Sequence, residues 1–425
     1  MGLFRFKIFR RLRKERQPPA TTIGKAYDVM EVYFGMAVLI NAVPFTYDRV
    51  RRRYDVDKRT VKYKIWFVLM FIGMFIEWAQ VTRELVRSKF DHTVSRGEWG
   101  MIFFVFSSWS FLSTIHYNVY KNTNEIVNHM NQTIRIREYF TDEKLPPTKD
   151  HRLAKLHIYA TAFQVFFQCL MVAVEGTKKQ YLYSNVPPAY RSIVTSGMWA
   201  IWAYYRVMTN LLAAYFLIFG GLFHVSTCNQ VIEYKEQASV PAEEKPHIYR
   251  MLQVMTSRYA EAHSMIFIPQ MTLFIAQNLT LGIYGTVKFY DQIDFANYMN
   301  FPLMSVLVIV MAGTFYTKNA TVYEKTKNEA REIMRGVLPP LAVQPEHEGP
   351  STSGVQTRRS PKAVRNPAGG WFCNPDALKE ARRVARACPV VAVTFGSLYP
   401  IKRTTVMNLF NFIACNAIST LITYP

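Results

Sequence analysis

Residues 192–223 decide the fold: SIVTSGMWAIWAYYRVMTNLLAAYFLIFGGLF. This stretch contains a single charged residue, Arg206. A bilayer whose hydrocarbon core is about 30 Å thick is crossed by about 20 apolar residues in an α-helix. The stretch is therefore predicted to be a transmembrane helix, and it is about ten residues longer than the membrane requires.

Six further apolar blocks of about this length are spread along the 425-residue chain. They occupy residues 65–82, 101–120, 156–174, 263–287, 298–317 and 404–424. Seven such blocks predict an all-α membrane protein with seven transmembrane helices. An eighth apolar stretch, Val29–Tyr47, contains Glu31 and Pro44 and lies between two basic segments. It is interpreted as a re-entrant or interfacial helix rather than a span.

The distribution of basic residues predicts the orientation. If the N-terminus is cytoplasmic, 40 Lys and Arg residues lie in cytoplasmic segments and 7 in outer loops. Positive charge collects on the cytoplasmic side of membrane proteins. The prediction is a multi-pass protein with a cytoplasmic N-terminus and an extracellular C-terminus. Its net charge of +21 is then explained by contact with anionic membrane lipid, and no nucleic acid is expected as a partner.

Four regions follow from this layout: the cytoplasmic segment 1–60, spans one to six in 61–317, a cytoplasmic segment 318–403, and the seventh span in 404–425. Amphipathic patterns in 323–337, 378–388 and 248–262, with the long end of the fourth block, predict four cytoplasmic helices that pack together or against other subunits. Separate solvated helices are the alternative. Residues 339–370 are rich in Pro, Gly and Ser, and are predicted to be disordered.

Motifs that would indicate an enzyme are absent from the sequence. It contains no HExxH, GxSxG, GxxxxGK or CxxC sequence. No catalytic residue, metal site or cofactor is therefore expected.

Arg206 is the strongest indication of a site, because a charge at mid-membrane depth is costly unless it is paired or hydrated. Helical spacing places Trp199 and Trp202 on its face. Two interpretations explain this arrangement. One is an aromatic pocket in which Arg206 is the polar anchor, and the other is a buried ion pair of Arg206, for example with Glu77. Aromatic faces also occur in the outer halves of spans two and three, which favours an outer-half cavity for a small apolar or mildly polar molecule. The candidate ligand-binding residues are Phe106, Trp109, Phe167, Gln168, Trp199, Trp202 and Arg206.

The last span carries polar residues on one face and apolar residues on the other. Polar side chains facing lipid would lack hydrogen bonds, so this face is expected to contact protein or water. If several subunits contributed the helix around an axis, the polar face would line an ion pore. Packing within one subunit is the alternative. The candidate pore-lining residues are Asn416, Ser419, Thr420 and Thr423.

Two short motifs resemble known sequences. AVPFTYD at 42–48 is similar to the Pro-Phe stretch that insect-type gustatory and odorant receptors carry before their first span. NAISTLITY at 416–424 is similar to the Thr-Tyr ending of their last span. With the predicted topology, the chain resembles a divergent member of this arthropod chemoreceptor superfamily.

The resemblance implies a chemosensory receptor of the plasma membrane that acts as a ligand-gated, non-selective cation channel. It also implies a homo- or hetero-tetramer, a pore lined by the seventh helices, a cytoplasmic anchor domain and a ligand pocket in the outer half of each subunit. Two alternatives come from other classes, a receptor that signals through G proteins and a membrane transporter.

Overall fold

The computed structural model describes residues 34–48, 51, 53–141, 185–237, 245–337, 394–395 and 399–423, with the single positions 159 and 166. Three predicted regions lie outside the described residues. They are the third span, apart from positions 159 and 166, the insert 339–370 and the amphipathic segment 378–388. The candidate residues Phe167 and Gln168 belong to the third span and are therefore not described.

Long helices make up most of the described chain. They are α1 Val61–Phe90, α2 Arg96–Lys121, α3 Thr123–Thr141, α4 Ile193–Gln237, α5 Lys245–His263, α6 Phe267–Lys288, α7 Asn300–Val337 and α8 Arg403–Thr423. Short elements are the strands β1 Thr46–Asp48, β2 Arg53–Asp55, β3 Thr394–Phe395 and β4 Tyr399–Pro400, the 3-10 turn Pro188–Tyr190 and the helical turn Phe295–Tyr298. The predicted all-α membrane fold is confirmed.

Among the described helices, α1, α4, α7 and α8 are long and apolar enough to cross a bilayer. Helices α5 and α6 meet at an angle of 64° and together give a fifth candidate span. The second predicted span, residues 101–120, lies within the 26-residue α2. Helix α2 is not among the helices that are long and apolar enough to cross a bilayer. The protein is thus a multi-pass membrane protein, and the number of seven spans stays a prediction.

Local sequence signals explain where several helices begin. Ser95 caps α2, because its Oγ accepts a hydrogen bond from the Glu98 N–H at 3.1 Å while the Glu98 carboxylate accepts one from the Ser95 N–H. Thr60 caps α1 by a single hydrogen bond, which its Oγ1 accepts from the N–H of Tyr63 at 3.2 Å. Pro269 lies in the first turn of α6, where its missing N–H is tolerated, and the chain bends just before it.

The segment before α1 differs from its prediction. In the described residues a helix covers 34–39, and Asn41 at φ 60° turns the chain out of it. Asn is one of the few residues that tolerate this left-handed conformation. The strands β1 and β2 then form an antiparallel hairpin in which Tyr47 pairs with Tyr54. The predicted helix up to Tyr47 is therefore wrong in its second half, because the described helix ends before Asn41 and β1 begins at Thr46.

Two polar side chains form hydrogen bonds between the helices and the segment that precedes α1. The side-chain amide of Asn131 on α3 accepts a hydrogen bond from the Tyr54 N–H at 2.7 Å and donates one to the Tyr54 carbonyl at 2.8 Å. The ammonium of Lys62 on α1 donates to the carbonyls of Val38 and Phe45 at 2.9 and 2.6 Å. The segment before α1 is thus fixed to both α1 and α3.

Helices α6 and α7 pack closely because α6 carries small residues. A Cβ atom added to Gly285 would lie 2.5–2.8 Å from the ring of Phe301, which is fully buried at the start of α7. Small residues of this kind let two membrane helices approach each other.

We therefore expect Gly285→Ala to destabilise the protein by about 1–3 kcal/mol, the typical effect of overpacking a buried contact. Gly313→Ala on α7 is the matched control, since nothing lies within 4 Å of its added Cβ. Thermal unfolding of the purified protein in lipid nanodiscs compares the two variants. Equal melting temperatures for both would show that the close approach of α6 and α7 contributes nothing.

A second hydrophobic cluster lies beside the main core and joins the ends of four helices. It is formed by Ile136 of α3, by Val225, Cys228, Val231 and Ile232 of α4, by Ile248, Tyr249, Leu252 and Met255 of α5, and by Val322 of α7. Parts of α3, α4, α5 and α7 therefore pack together, whereas their position outside the membrane stays a prediction. Helix α3 is not among the four helices predicted to pack there.

Candidate functional site

A cavity lies in the main core between α1, α2, α4, α6 and α7. Its volume is about 160 Å³. Its walls are mostly apolar and include Phe104 and Leu112 of α2, Leu211 of α4 and Phe274 of α6. An apolar cavity of about 150 Å³ is large enough to bind benzene, so this one fits a molecule with about one ring.

Four of the seven candidate ligand-binding residues line this cavity: Trp109, Trp199, Trp202 and Arg206. Phe106 does not, because its ring is stacked on Trp78 of α1 with centroids 6.5 Å apart. Phe104, two residues earlier, faces the cavity in its place. The candidates Phe167 and Gln168 lie outside the described residues.

Arg206 is buried and forms an ion pair with Glu77 of α1. Its Nε lies 3.1 Å from Glu77 Oε1 and its Nη2 lies 3.3 Å from Glu77 Oε2, so the pair has two contacts. The Arg206 side chain is 2% exposed and that of Glu77 is 12% exposed. The sequence left open an aromatic pocket anchored by Arg206 or a buried ion pair of Arg206. The structure contains the buried ion pair, and both of its residues also line the cavity.

The remaining contacts of Arg206 also come from α1 and from its own helix. Its Nη1 donates to the carbonyl of Leu69, within the π-helical segment Phe67–Ile72. Its guanidinium lies 5.8 Å from the centre of the Trp202 ring, which is within the range of a cation–π contact. The charge of Arg206 is thus compensated inside the protein, and no anionic ligand is needed to balance it.

Two polar residues that are not among the seven candidates also line the cavity. Helical spacing predicts that Asn210, one turn after Arg206, shares its face, and the structure confirms this. The Oδ1 atom of Asn210 lies 3.0 Å from Nε2 of the buried His116 on α2. The second residue is Gln80 of α1, which no sequence pattern indicates.

The helix α8 contacts the rest of the chain mainly through one face. Ile413 and Ala417 are buried, and α8 packs on α6 and α7. Only 11% of its apolar stretch is buried, against 94% for α4. Of the candidate pore residues, Ser419 and Thr423 are exposed and Asn416 and Thr420 are partly covered. The polar face is therefore only partly covered by the described part of the subunit.

Four large apolar residues of α8 also remain exposed: Met407, Phe412, Ile418 and Ile422. Asn416 and Thr420 each donate a side-chain hydrogen bond to the carbonyl four residues earlier, at 2.7 Å. These side chains thus keep a hydrogen bond within the helix whichever medium they face.

The fold and the cavity together define a class: an all-α, multi-pass membrane protein with a small, mainly apolar cavity between its helices. No family model matches the sequence, and no curated protein matches it. Among solved structures, the insect olfactory receptor OR5 from Machilis hrabei has the same fold. The comparison covers 91% of this chain and 96% of that chain, with a TM-score of 0.51 and 10% sequence identity.

A structure of the same receptor in complex with eugenol gives a TM-score of 0.54 at 12% identity. It covers 93% of this chain and 97% of that chain. The chain therefore has the fold of an insect olfactory receptor, as the motif resemblance predicted. The matched structures are of an olfactory receptor by title.

Proposed function

We propose that this protein is a chemosensory receptor subunit that acts as a ligand-gated, non-selective cation channel. The cavity beside Arg206, in a fold shared with an olfactory receptor that has been solved with eugenol, is the observation that carries the proposal. The partly uncovered polar face of α8 supports it, because its side chains are available to water or to further subunits.

The proposed ligand is a small neutral molecule with about one ring. The cavity volume limits its size, and the three tryptophans Trp109, Trp199 and Trp202 offer flat apolar surface against which a ring can stack. A carboxylate ligand is disfavoured because the charge of Arg206 is already balanced by Glu77. Asn210 and Gln80 are the polar groups proposed to orient a hydroxyl or carbonyl group of the ligand.

The proposed channel is a homo- or hetero-tetramer in the plasma membrane, with a cytoplasmic N-terminus and an extracellular C-terminus. Asn416, Ser419, Thr420 and Thr423 are proposed to line its pore, and the permeant ions are cations. The helix α8 has no acidic residue. No fixed negative charge of α8 would then face the pore, and the permeant ions would interact with water and with the dipoles of polar side chains. Such a pore is expected to discriminate weakly between cations.

Replacing Trp202 by alanine is expected to raise the ligand concentration for half-maximal response by about tenfold or more, since loss of one buried aromatic contact is worth about 1.4 kcal/mol or more. Trp99→Ala is the matched control, because Trp99 is 38% exposed and stacks on Phe103 away from the cavity. Ligand-evoked currents in transfected cells give the dose–response curves. Equal dose–response curves for wild type and Trp202→Ala, with normal surface expression, would show that the ligand does not bind in this cavity.

A receptor that signals through G proteins is the main alternative from another class. It would require the opposite orientation, with an extracellular N-terminus. Epitope tags on each terminus, probed with antibody before and after permeabilisation, separate the two. An N-terminal tag that is accessible on intact cells would contradict the channel proposal.

A further inference from the structure

Three buried histidines meet where α3, α4 and α5 pack together. The ring of His129 on α3 lies 5.0 Å from that of His224 on α4 and 5.9 Å from that of His263 on α5, measured between centroids. Each of the three is at most 2% exposed. We call these three residues the histidine cluster. It is separate from the ligand cavity, whose lining includes none of them.

The histidine cluster lies at the bend between α5 and α6. His263 is the last residue of α5, and α6 leaves at an angle of 64°. Tyr259, one turn earlier, stacks on His224 with ring centroids 4.7 Å apart and contacts His129 with its edge at 5.1 Å. Gly221 of α4 permits this approach, since a Cβ there would lie 2.6 Å from the Tyr259 hydroxyl oxygen. The contacts that join α3 and α4 to the bend thus pass through the cluster.

The cluster is poor in hydrogen bonds. Both ring nitrogens of His129 and the Nδ1 atoms of His224 and His263 have no hydrogen-bond partner in the part of the chain that the structure describes. Buried polar groups are nearly always hydrogen-bonded, so several unbonded nitrogens in one place require an explanation. No three metal-ligating groups of the described residues are placed to hold a metal ion. A proton is therefore a better candidate ligand than a metal.

The groups around the cluster do not stabilise a positive charge. Cys228 of α4 lies with its Sγ 3.7 Å from His224 Nε2, and the ring of Tyr259 on α5 contacts all three histidine rings. The hydroxyl of Thr256 lies 3.5 Å from His224 Nε2, and Phe267 of α6 contacts the ring of His263. None of the three histidines forms an ion pair with a described residue. Burial accordingly lowers the pKa of His129 to about 3.

We propose that the histidine cluster is a pH-sensitive contact that holds α3, α4 and α5 together while its rings are neutral, and that protonation of the rings on acidification loosens this packing at the bend. A buried cation without a partner is costly, so protonation favours a conformation in which water reaches the rings. The bend is the place where α5 can move relative to the apolar α6. This inference does not require that the protein be a channel.

The sign of the pH effect follows from linkage. The pKa of His129 is about 3 in the folded protein against an ordinary value of 6.5, so the unfolded or opened state binds the proton more tightly. The neutral packing is fully stable above about pH 6.5 and loses stability as the pH falls from there toward 3. For one such histidine, the ratio of packed to opened protein falls about 30-fold by about pH 5.

Hydrogen exchange and thermal unfolding of the purified protein in nanodiscs, at about pH 7.5 and about pH 5, test the proposal. After correction for intrinsic exchange rates, protection of the α5 amides should fall at the lower pH together with the melting temperature. His129→Phe should keep or raise the melting temperature at pH 7.5, because it removes two unbonded nitrogens and keeps a ring. It should also reduce the loss at low pH.

His129→Gln serves as a second variant if phenylalanine does not fit, since it too cannot become charged. His92→Asn is the control, because His92 is exposed in the loop before α2 and should leave the pH response unchanged. Two results would overturn the proposal. One is unchanged protection of α5 in the wild type between the two pH values. The other is an equal pH response in wild type and in both His129 variants.

Discussion

Replacing Glu77 by glutamine is expected to lower the free energy of unfolding by about 3–5 kcal/mol, because it leaves the buried cation of Arg206 without its partner. Both side chains are nearly inaccessible, with Nε of Arg206 3.1 Å from Glu77 Oε1. Glutamine keeps the shape and one hydrogen-bond acceptor of the glutamate, so the change isolates the charge. Thermal unfolding in nanodiscs, with the yield of monodisperse protein, measures the effect.

The double variant Glu77→Leu/Arg206→Met should recover most of this loss, since exchanging a whole buried ion pair for apolar residues is often neutral or better. It should not recover all of it, because the Leu69 carbonyl in the π-helical segment also loses the hydrogen bond from Arg206. Glu261→Gln on α5 is the control. Glu261 pairs with Arg258 and both side chains are about half-exposed, so its loss should cost under about 1 kcal/mol. An equal cost for Glu77→Gln and Glu261→Gln would show that burial of the Arg206 pair is not important.

A second large effect is expected from the native Cys415 in the polar face of α8. This cysteine is exposed and free. If the polar face lines a pore, a charged thiol reagent should modify Cys415 and strongly reduce the ligand-evoked current, and only when the channel is open. Cys415→Ser should abolish the effect of the reagent while leaving the ligand response intact. Recordings from excised patches during application of the reagent measure this.

The matched control places a cysteine on the opposite face of α8. In a Cys415→Ser background, Ala417→Cys lies at a buried contact with the subunit and should stay unreactive. Asn416→Cys and Thr420→Cys in the same background should react in the open state. If these two resemble Ala417→Cys, or if the wild-type current is insensitive to the reagent, the polar face packs against protein and the pore lies elsewhere.

Helical periodicity alone located much of the candidate site. Trp199, Trp202 and Arg206 share a face because they are separated by three, four and seven residues on one helix, and all three line the cavity. The polar and apolar faces of α8 were likewise separable, since Ile413 and Ala417 are the buried positions. In both cases the information lies within a single helix, where the spacing of side chains is fixed by geometry.

The features that were missed depend on contacts between helices. The aromatic run of α2 contains Phe103, Phe104 and Phe106, and only the neighbours of α2 decide that Phe104 faces the cavity while Phe106 faces Trp78. His129, His224 and His263 are far apart in sequence and lie on three helices, so no local pattern indicates that they meet. The π-helical segment of α1 has no sequence signal either.

Ligand-evoked current from the purified protein alone, in planar bilayers under a salt gradient, tests the proposed function most directly. The screen should pair neutral single-ring compounds with carboxylates of the same size. The proposal predicts that neutral compounds open a current that reverses near the cation equilibrium potential, that carboxylates do not, and that Trp202→Ala requires higher ligand concentrations. A folded tetramer of the protein that binds such a ligand, as shown by a rise in melting temperature, but passes no current, or passes one that reverses near the anion equilibrium potential, would contradict the proposal.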